Sequence, residues 1–212
     1  MHSLPAISIT RFFFALFAYN SPHLATGKII VITAPSGSGK TTLVKRLLDS
    51  CPLLEFSVSA CTRRARKGEH HGKDYYFYEE GQFRKLIDEN AFVEWEMVYN
   101  GKYYGTLKAE LQRIWNAGKS PLVDIDVQGA LAIRDKYPQN CLTIFIEAPS
   151  LDALRERLMT RGTETEHSIE ERITKAVSEL TFAPRFDHII INDNLDIATK
   201  ELMRLVDEFT GC

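Results

Sequence analysis

An eight-residue stretch, Ala34-Pro35-Ser36-Gly37-Ser38-Gly39-Lys40-Thr41, constrains this chain more than any other feature. It follows an unbroken apolar and β-branched run at 28–33 (KIIVIT). It precedes a segment that puts Leu43, Val44, Leu47 and Leu48 on one helical face. Such a run suits a strand buried on both sides of a parallel sheet. Strand, Gly/Ser-rich turn and helix, in that order, form the context in which a loop ending in Lys-Thr cradles phosphate. Gly37 and Gly39 open backbone angles closed to other residues and leave room for an anion. Loop N–H groups and the helix N-terminus then face that anion. Lys40 can reach the β and γ phosphates of a nucleoside triphosphate, and Thr41, followed by Thr42, can offer a hydroxyl to Mg²⁺. Ala34 stands where the strict pattern has its first glycine, a place that tolerates a side chain if its φ is negative.

The strand–helix theme recurs along the chain. Residues 121–126 (PLVDID), 142–147 (LTIFIE) and 188–192 (HIIIN) read as further core strands. Helices follow them with Ala130, Leu131 and Ile133, then Leu151, Leu154 and Leu158 behind a Ser150 cap, then Leu195, Ala198, Leu202, Leu205, Val206 and Phe209. Alternation of this kind predicts an α/β fold with a parallel sheet flanked by helices. Two stretches depart from it. Residues 59–106 are rich in Arg, Gly, Tyr and Phe and predict a small β-rich insertion with one helix near 83–87. Residues 160–167 lack apolar content and read as a mobile loop. Ser168 and Glu171 have the spacing of a capping box for the next helix, whose apolar face is Ile169, Ile173, Val177 and Leu180. The expected organisation is an extension at 1–26 and a domain at 27–212. The domain divides into a core of 27–58 and 107–212, the insertion at 59–106, and a helical lid over about 155–172.

Composition narrows the partners. The 212 residues carry 26 Lys and Arg against 28 Asp and Glu, a formal charge of -2. That balance argues against a nucleic-acid coat or a polybasic membrane binder. The run Phe12 to Ala18 is too short to span a bilayer. Arg11 is the only early basic residue besides His2, and no clear small-residue cleavage site follows, so 1–26 reads as a loosely ordered extension rather than an export signal. Cys51, Cys61, Cys141 and Cys212 form no C-x-x-C pair, which predicts four reduced thiols in a cytoplasmic protein.

The phosphate loop implies nucleotide binding but leaves the acceptor open. A GTPase would add N-K-x-D to read guanine, and that tetrapeptide is absent. A phosphorylated acceptor needs cations. Arg63 and Arg66 lie three apart in SACTRRAR, with Tyr75 and Tyr104 as hydroxyl donors. Glu94, in FVEWE, is a carboxylate among bulky apolar residues and needs donors. Guanine offers two adjacent ones, and a site built on such bonds rejects a base lacking them by roughly 10⁴. Glu96 lies on the same strand face, and spacing does not choose between the two. Asp124 and Asp126 share a face at a strand end, where a carboxylate can hold Mg²⁺ or its waters; ordinary turn chemistry explains them as well. Arg157, Arg161 and Arg172 flank the polar loop and can deliver charge to a transferring phosphoryl group.

Taken together, APSGSGKTTL, FSVSACTRRARKGE, GKDYYF, FVEW, GKYYGT, DIDVQG, RGTETE and IIND, in this order and spacing, resemble the guanylate kinase family over residues 27–212. The resemblance implies a P-loop NTPase-type fold, Mg²⁺, ATP as donor, and GMP, with dGMP as a second acceptor to test. It implies that Ser59, Arg63, Arg66, Tyr75, Glu94 and Tyr104 bind GMP, with Ser59 and Glu94 reading guanine and Asp124 on the same side. Thr106 takes a position usually held by serine. Arg161 and Arg172 become lid arginines with Arg157 nearby, and Asn192 falls near the ATP base. Arg64-Ala65 replaces the family's usual Thr-Pro. No nucleic acid or membrane is expected as a partner. Two other readings remain at this stage: a catalytically inactive phosphopeptide-binding module on the same scaffold, and a P-loop kinase for another small acceptor.

Overall fold

The computed structural model describes residues 27–99, 101–160 and 165–212. The expected extension at 1–26 and Arg161 lie outside them. Five parallel strands form the main sheet: β1 (Ile29–Thr33), β2 (Leu54–Phe56), β7 (Ser120–Asp124), β8 (Cys141–Glu147) and β9 (His188–Ile191). Their order is β2-β7-β1-β8-β9, with Ile30 opposite Leu122 on one side and Leu142 on the other. Every residue of β1 is buried because both faces are covered. Ile30 and Ile32 pack toward α1 (Lys40–Ser50) and α7 (Leu195–Thr210). Ile29 and Val31 pack toward α3 (Lys108–Asn116) and α4 (Val127–Lys136). The period-two alternation of a strand thus feeds two cores, which explains the absence of any polar residue before Thr33.

A second sheet, ordered β4-β3-β6-β5, is built from β3 (Ala60–Cys61), β4 (Tyr76–Phe77), β5 (Phe92–Tyr99) and β6 (Lys102–Leu107). Its core is aromatic. Phe83 of α2 (Glu80–Asp88) stacks on Phe92 at 4.4 Å and on Tyr103 at 5.4 Å between ring centroids. Rings supply large apolar area to a sheet too small to bury long aliphatic rows. The chain leaves the main sheet after Phe56 and returns through Leu107 into α3.

Three sequence expectations are corrected. The helix after the polar loop, α6 (Glu166–Leu180), is capped by Thr165, whose side chain accepts from the Ser168 N–H; the box expected at Ser168 and Glu171 is not the helix start. On α6, Val177 is 46% exposed, and Ile169 and Ala176 are the buried residues. α6 packs mainly on α5 (Leu151–Thr160), which covers a narrower stripe than a sheet would. Cys51 and Cys212 are joined as a disulfide with Cα atoms 5.9 Å apart. α1 and α7 lie side by side, so their C-terminal ends meet although 161 residues separate the two cysteines. Cys61 and Cys141 are free and buried, as thiols. No helix among the described residues is long and apolar enough to cross a membrane.

Candidate active site

The loop between β1 and α1 sits at the carboxyl end of the sheet, beside the end of β7, where open α/β sheets bind ligands. Gly37 and Gly39 have φ of 95° and 91°. At Gly39 the requirement is double: a Cβ there would fall 2.2 Å from the Asn192 side-chain nitrogen. That nitrogen donates to the Ser38 carbonyl at 2.8 Å, and Asn192 is buried. The structure therefore brings Asn192 to the back of the loop, its amide committed to loop backbone. Arg157 donates to the Asn192 carbonyl at 2.8 Å, and its other terminal nitrogen is buried without a hydrogen bond among the described residues. Lys40 forms an ion pair with Asp124, the last residue of β7. Thr41 and Thr42 are exposed in the first turn of α1. From α6, Arg172 donates to the Ser36 hydroxyl at 2.6 Å, so the helix beyond the polar loop already reaches the phosphate loop.

Just beyond β3, Arg63 lies 4.6 Å from the centroid of Tyr75, and Tyr75 packs edge-on against Tyr104 at 6.3 Å. Both terminal nitrogens of Arg63 donate to Glu69, at 2.5 and 2.8 Å, and the Arg66 N–H donates to the same carboxylate at 2.8 Å. Arg63 holds the Glu69 carboxyl down at about 2, with the Arg66 N–H assisting. The side chain of Arg66 is exposed.

The register of β5 and β6 gives the two glutamates different neighbours. Glu94 faces Thr106 and accepts its hydroxyl at 2.6 Å, while Glu96 lies opposite Tyr104. Glu94 is 9% exposed, and Glu96 is half-buried. Burial pushes Glu94 up to about 7; the Thr106 hydrogen bond opposes that shift, and the charges of Asp126 and Glu96 add to it. Glu96 is raised by burial first and then by Asp126, against Lys175 of α6. Asp126 is not part of β7. It caps α4, accepting from the N–H groups of Gln128 and Gly129, so the turn reading of this residue holds while its neighbour Asp124 pairs with Lys40.

A cleft of about 1350 Å³ brings part of this set together; Arg63, Arg66 and Tyr104 are not among its lining residues. Ser36, Gly39, Lys40, Thr41 and Asp124 line one side, Ser59 and Tyr75 the other, and Arg172 and Lys175 the roof. Glu94 and Thr106 are not among these lining residues; Glu94 lines a separate cavity of about 250 Å³ with Phe92, Val93 and Lys136, and its carboxylate lies against Gly129, where an added Cβ would fall 3.0 Å from it.

Residues 26–209 match the family model described as guanylate kinase. The chain belongs to the guanylate kinase family. The guanylate kinase of Bacteroides fragilis is 44% identical over 192 residues, spanning 90% of this chain and 94% of that protein. That of Chlorobium chlorochromatii is 42% identical over 186 residues, spanning 88% and 97%. Among solved structures, guanylate kinase from Anaplasma phagocytophilum superposes with a TM-score of 0.67 at 28% identity, covering 88% of this chain and 87% of that one. The parallel sheet with its phosphate loop is the fold expected of a guanylate kinase.

Sequence reasoning missed two carboxylates of this guanylate kinase. Glu69 stands three residues after Arg66 across Gly68, a turn spacing that could have flagged it. Glu110 and Arg113 have an i,i+3 spacing that could have flagged a pair, but the Val58 and Tyr76 donors come from far away in sequence and gave no signal.

Proposed function

We propose the following division of labour for the reaction this chain catalyses, transfer of the γ-phosphoryl group of ATP to GMP to give ADP and GDP. The phosphate loop from Ala34 to Thr41, with Thr42, binds the donor through backbone N–H groups. Lys40 neutralises its β and γ oxygens. Arg172, with Arg157 and Arg161, brings cations to the equatorial oxygens as charge spreads over them. Arg63, Arg66, Tyr75 and Tyr104 hold the GMP phosphate. Glu94 accepts from the N1–H and exocyclic amine of guanine, helped by Ser59 and Thr106. A GMP phosphate oxygen attacks the γ-phosphorus; one P–O bond forms as the bond to the β-phosphate breaks. No side chain serves as a nucleophile, and positioning with charge neutralisation supplies the rate.

The donor chemistry fits Mg²⁺. Thr41 offers a hydroxyl and Asp124 a carboxylate, and among the described residues no three His, Cys, Asp or Glu side chains gather to hold an ion. Two hard oxygen donors suit a cation that keeps waters and phosphate oxygens as its other ligands. When bound, the ion would supply charge neutralisation at the phosphates, with Thr41 and Asp124 holding it; Asp124 also anchors Lys40 beside the loop. The same acceptor contacts need no 2′-hydroxyl, so dGMP is also a substrate, and both nucleotides are drawn from the cytoplasm.

The observation that carries this reading is the single cleft facing Lys40 and Arg172 on one side and Ser59 and Tyr75 on the other. The test is an ADP-release assay with ATP, Mg²⁺ and each of GMP, dGMP, AMP, CMP and UMP. Turnover with GMP and dGMP alone is expected. Turnover with AMP would remove Glu94 from base reading.

A further inference from the structure

Glu110 is in the first turn of α3, three residues after the end of β6, and its side chain is 1% exposed. Four hydrogen bonds converge on it. One oxygen accepts from the Val58 N–H at 3.1 Å and from Arg113 at 2.9 Å. The other accepts from the Tyr76 hydroxyl at 2.9 Å and from Arg113 Nε at 2.9 Å. Arg113 also reaches Glu55 of β2 at 2.7 Å, and Lys119 meets the same carboxylate at 3.0 Å. Burial alone would raise the Glu110 carboxyl, but the bonds from Arg113, Val58 and Tyr76 outweigh it and hold the group below its ordinary range.

The placement of these donors is the informative part. The backbone passes between the two sheets twice, outward between Phe56 and Ala60 and back at Leu107. Val58 is in the outward passage, and Glu110 follows the return. Tyr76 belongs to β4, the edge strand of the second sheet, and is the neighbour of Tyr75. One carboxylate therefore ties both passages and the far edge of the second sheet to α3, which packs on β7. A buried charge is often replaceable by apolar side chains without loss of stability, so its value lies in fixing one geometry. A network with every member satisfied is rigid.

We infer that Glu110 is a positioning residue that sets the angle between the two sheets, and through Tyr76 the place at which Tyr75 and Arg63 meet the acceptor phosphate. It touches neither substrate. The inference rests on the proposed assignment of GMP to Tyr75 and Arg63.

The experiment is steady-state kinetics of Tyr76→Phe, Glu110→Gln and Arg63→Ala, with KM measured separately for GMP and ATP and Tm recorded for each. Tyr76→Phe keeps the ring and removes only the hydrogen bond by which Glu110 of α3 holds the edge strand β4. It should raise the GMP KM about fivefold, as expected for one hydrogen bond to a charged acceptor. Glu110→Gln should raise it roughly tenfold, and both should leave the ATP KM within about twofold. A double variant should lose less than the product of the two, because both changes break one network. Should Tm fall in either variant while both KM values stay unchanged, or should the two KM values rise together, Glu110 is a packing residue and the inference fails. If Arg63→Ala leaves the GMP KM unaltered, the acceptor assignment fails instead, and the two failures are told apart.

Discussion

At the end of β1 the groups we assign to phosphate are backbone N–H groups beside two glycines with positive φ; at the second sheet the groups we assign to it are arginine and tyrosine tips carried on separate segments. The first arrangement is complete without a ligand: Asn192 braces Ser38, Lys40 rests on Asp124, and Arg172 rests on Ser36. The second is held by carboxylates, with Glu69 on Arg63 and Glu110 behind Tyr76. Backbone donors cannot turn away once the loop has folded, so the donor side is fixed by local conformation. Side-chain donors can rotate, so the acceptor side needs counter-charges to define where its cations point.

The sharpest way to break this contrast is Lys40→Met, which removes the cation that follows the loop glycines and leaves the loop backbone intact. kcat should fall by about 10³-fold, the scale seen when a preorganised charge at a reacting centre is removed. Tm should shift little, since Lys40 and Asp124 are partly exposed. A near-normal kcat would mean that backbone donors suffice and that Lys40 is a structural partner of Asp124.

Glu94→Gln probes the acceptor side next. An amide can no longer accept from both guanine donors, and kcat/KM for GMP should drop about 10²-fold. In the parent enzyme the carboxyl is pushed up to about 7, so kcat/KM for GMP should climb with pH and level off above about 7. Stability should move the other way. The unfolded chain releases this proton near the ordinary value of 4.5, before the folded one does, so folding weakens as pH rises from about 4.5 to about 7. The difference corresponds to at most about 3 kcal/mol. Gln keeps the Thr106 bond without the charge, so its Tm advantage over the parent should grow across that window and be small below it. An advantage independent of pH would show that burial of Glu94 is already compensated.

Gly39→Ala tests the rigid side where it is tightest. The substitution asks an L-residue to hold φ of 91° and brings its Cβ onto the Asn192 amide. Stability should fall by about 2 kcal/mol, read as a lower Tm, with a raised ATP KM. Adding Asn192→Ala opens that space, so the pair should lose less than the sum of the single changes.

The two regions also differ in how far they can be read in a sequence. β1, the loop and α1 are contiguous, and each step is local: an apolar run, two glycines, an apolar stripe. Their legibility follows from that. The residues assigned to the acceptor were picked out by motif order, but Glu94 could not be told from Glu96 by spacing, because both lie on one face of β5. The register against Thr106 and Tyr104 separates them, and register is a property of strand pairing. Glu110 and the Cys51–Cys212 disulfide were invisible for the same reason, their partners being set by tertiary packing. The start of α6 was misread by three residues because Thr165 and Ser168 are both competent caps and local chemistry does not rank them.

Glu69→Gln carries the smallest expected effect and sharpens the comparison most. A carboxylate on Arg63 can act in two opposite ways: it can occupy the fork that phosphate needs, or it can hold that fork in place. Arg63 has five N–H donors, and Glu69 engages its terminal nitrogens from one side, with Tyr75 under the guanidinium plane. Glu69 also takes the Arg66 N–H, so it staples the turn that carries both arginines. Holding is therefore the stronger effect. Gln keeps the bond to the Arg66 N–H but weakens the one to Arg63, and the GMP KM should rise about threefold with kcat and the ATP KM unchanged. A lower GMP KM would show that the carboxylate competes with phosphate, and that the acceptor side must be emptied before it can bind.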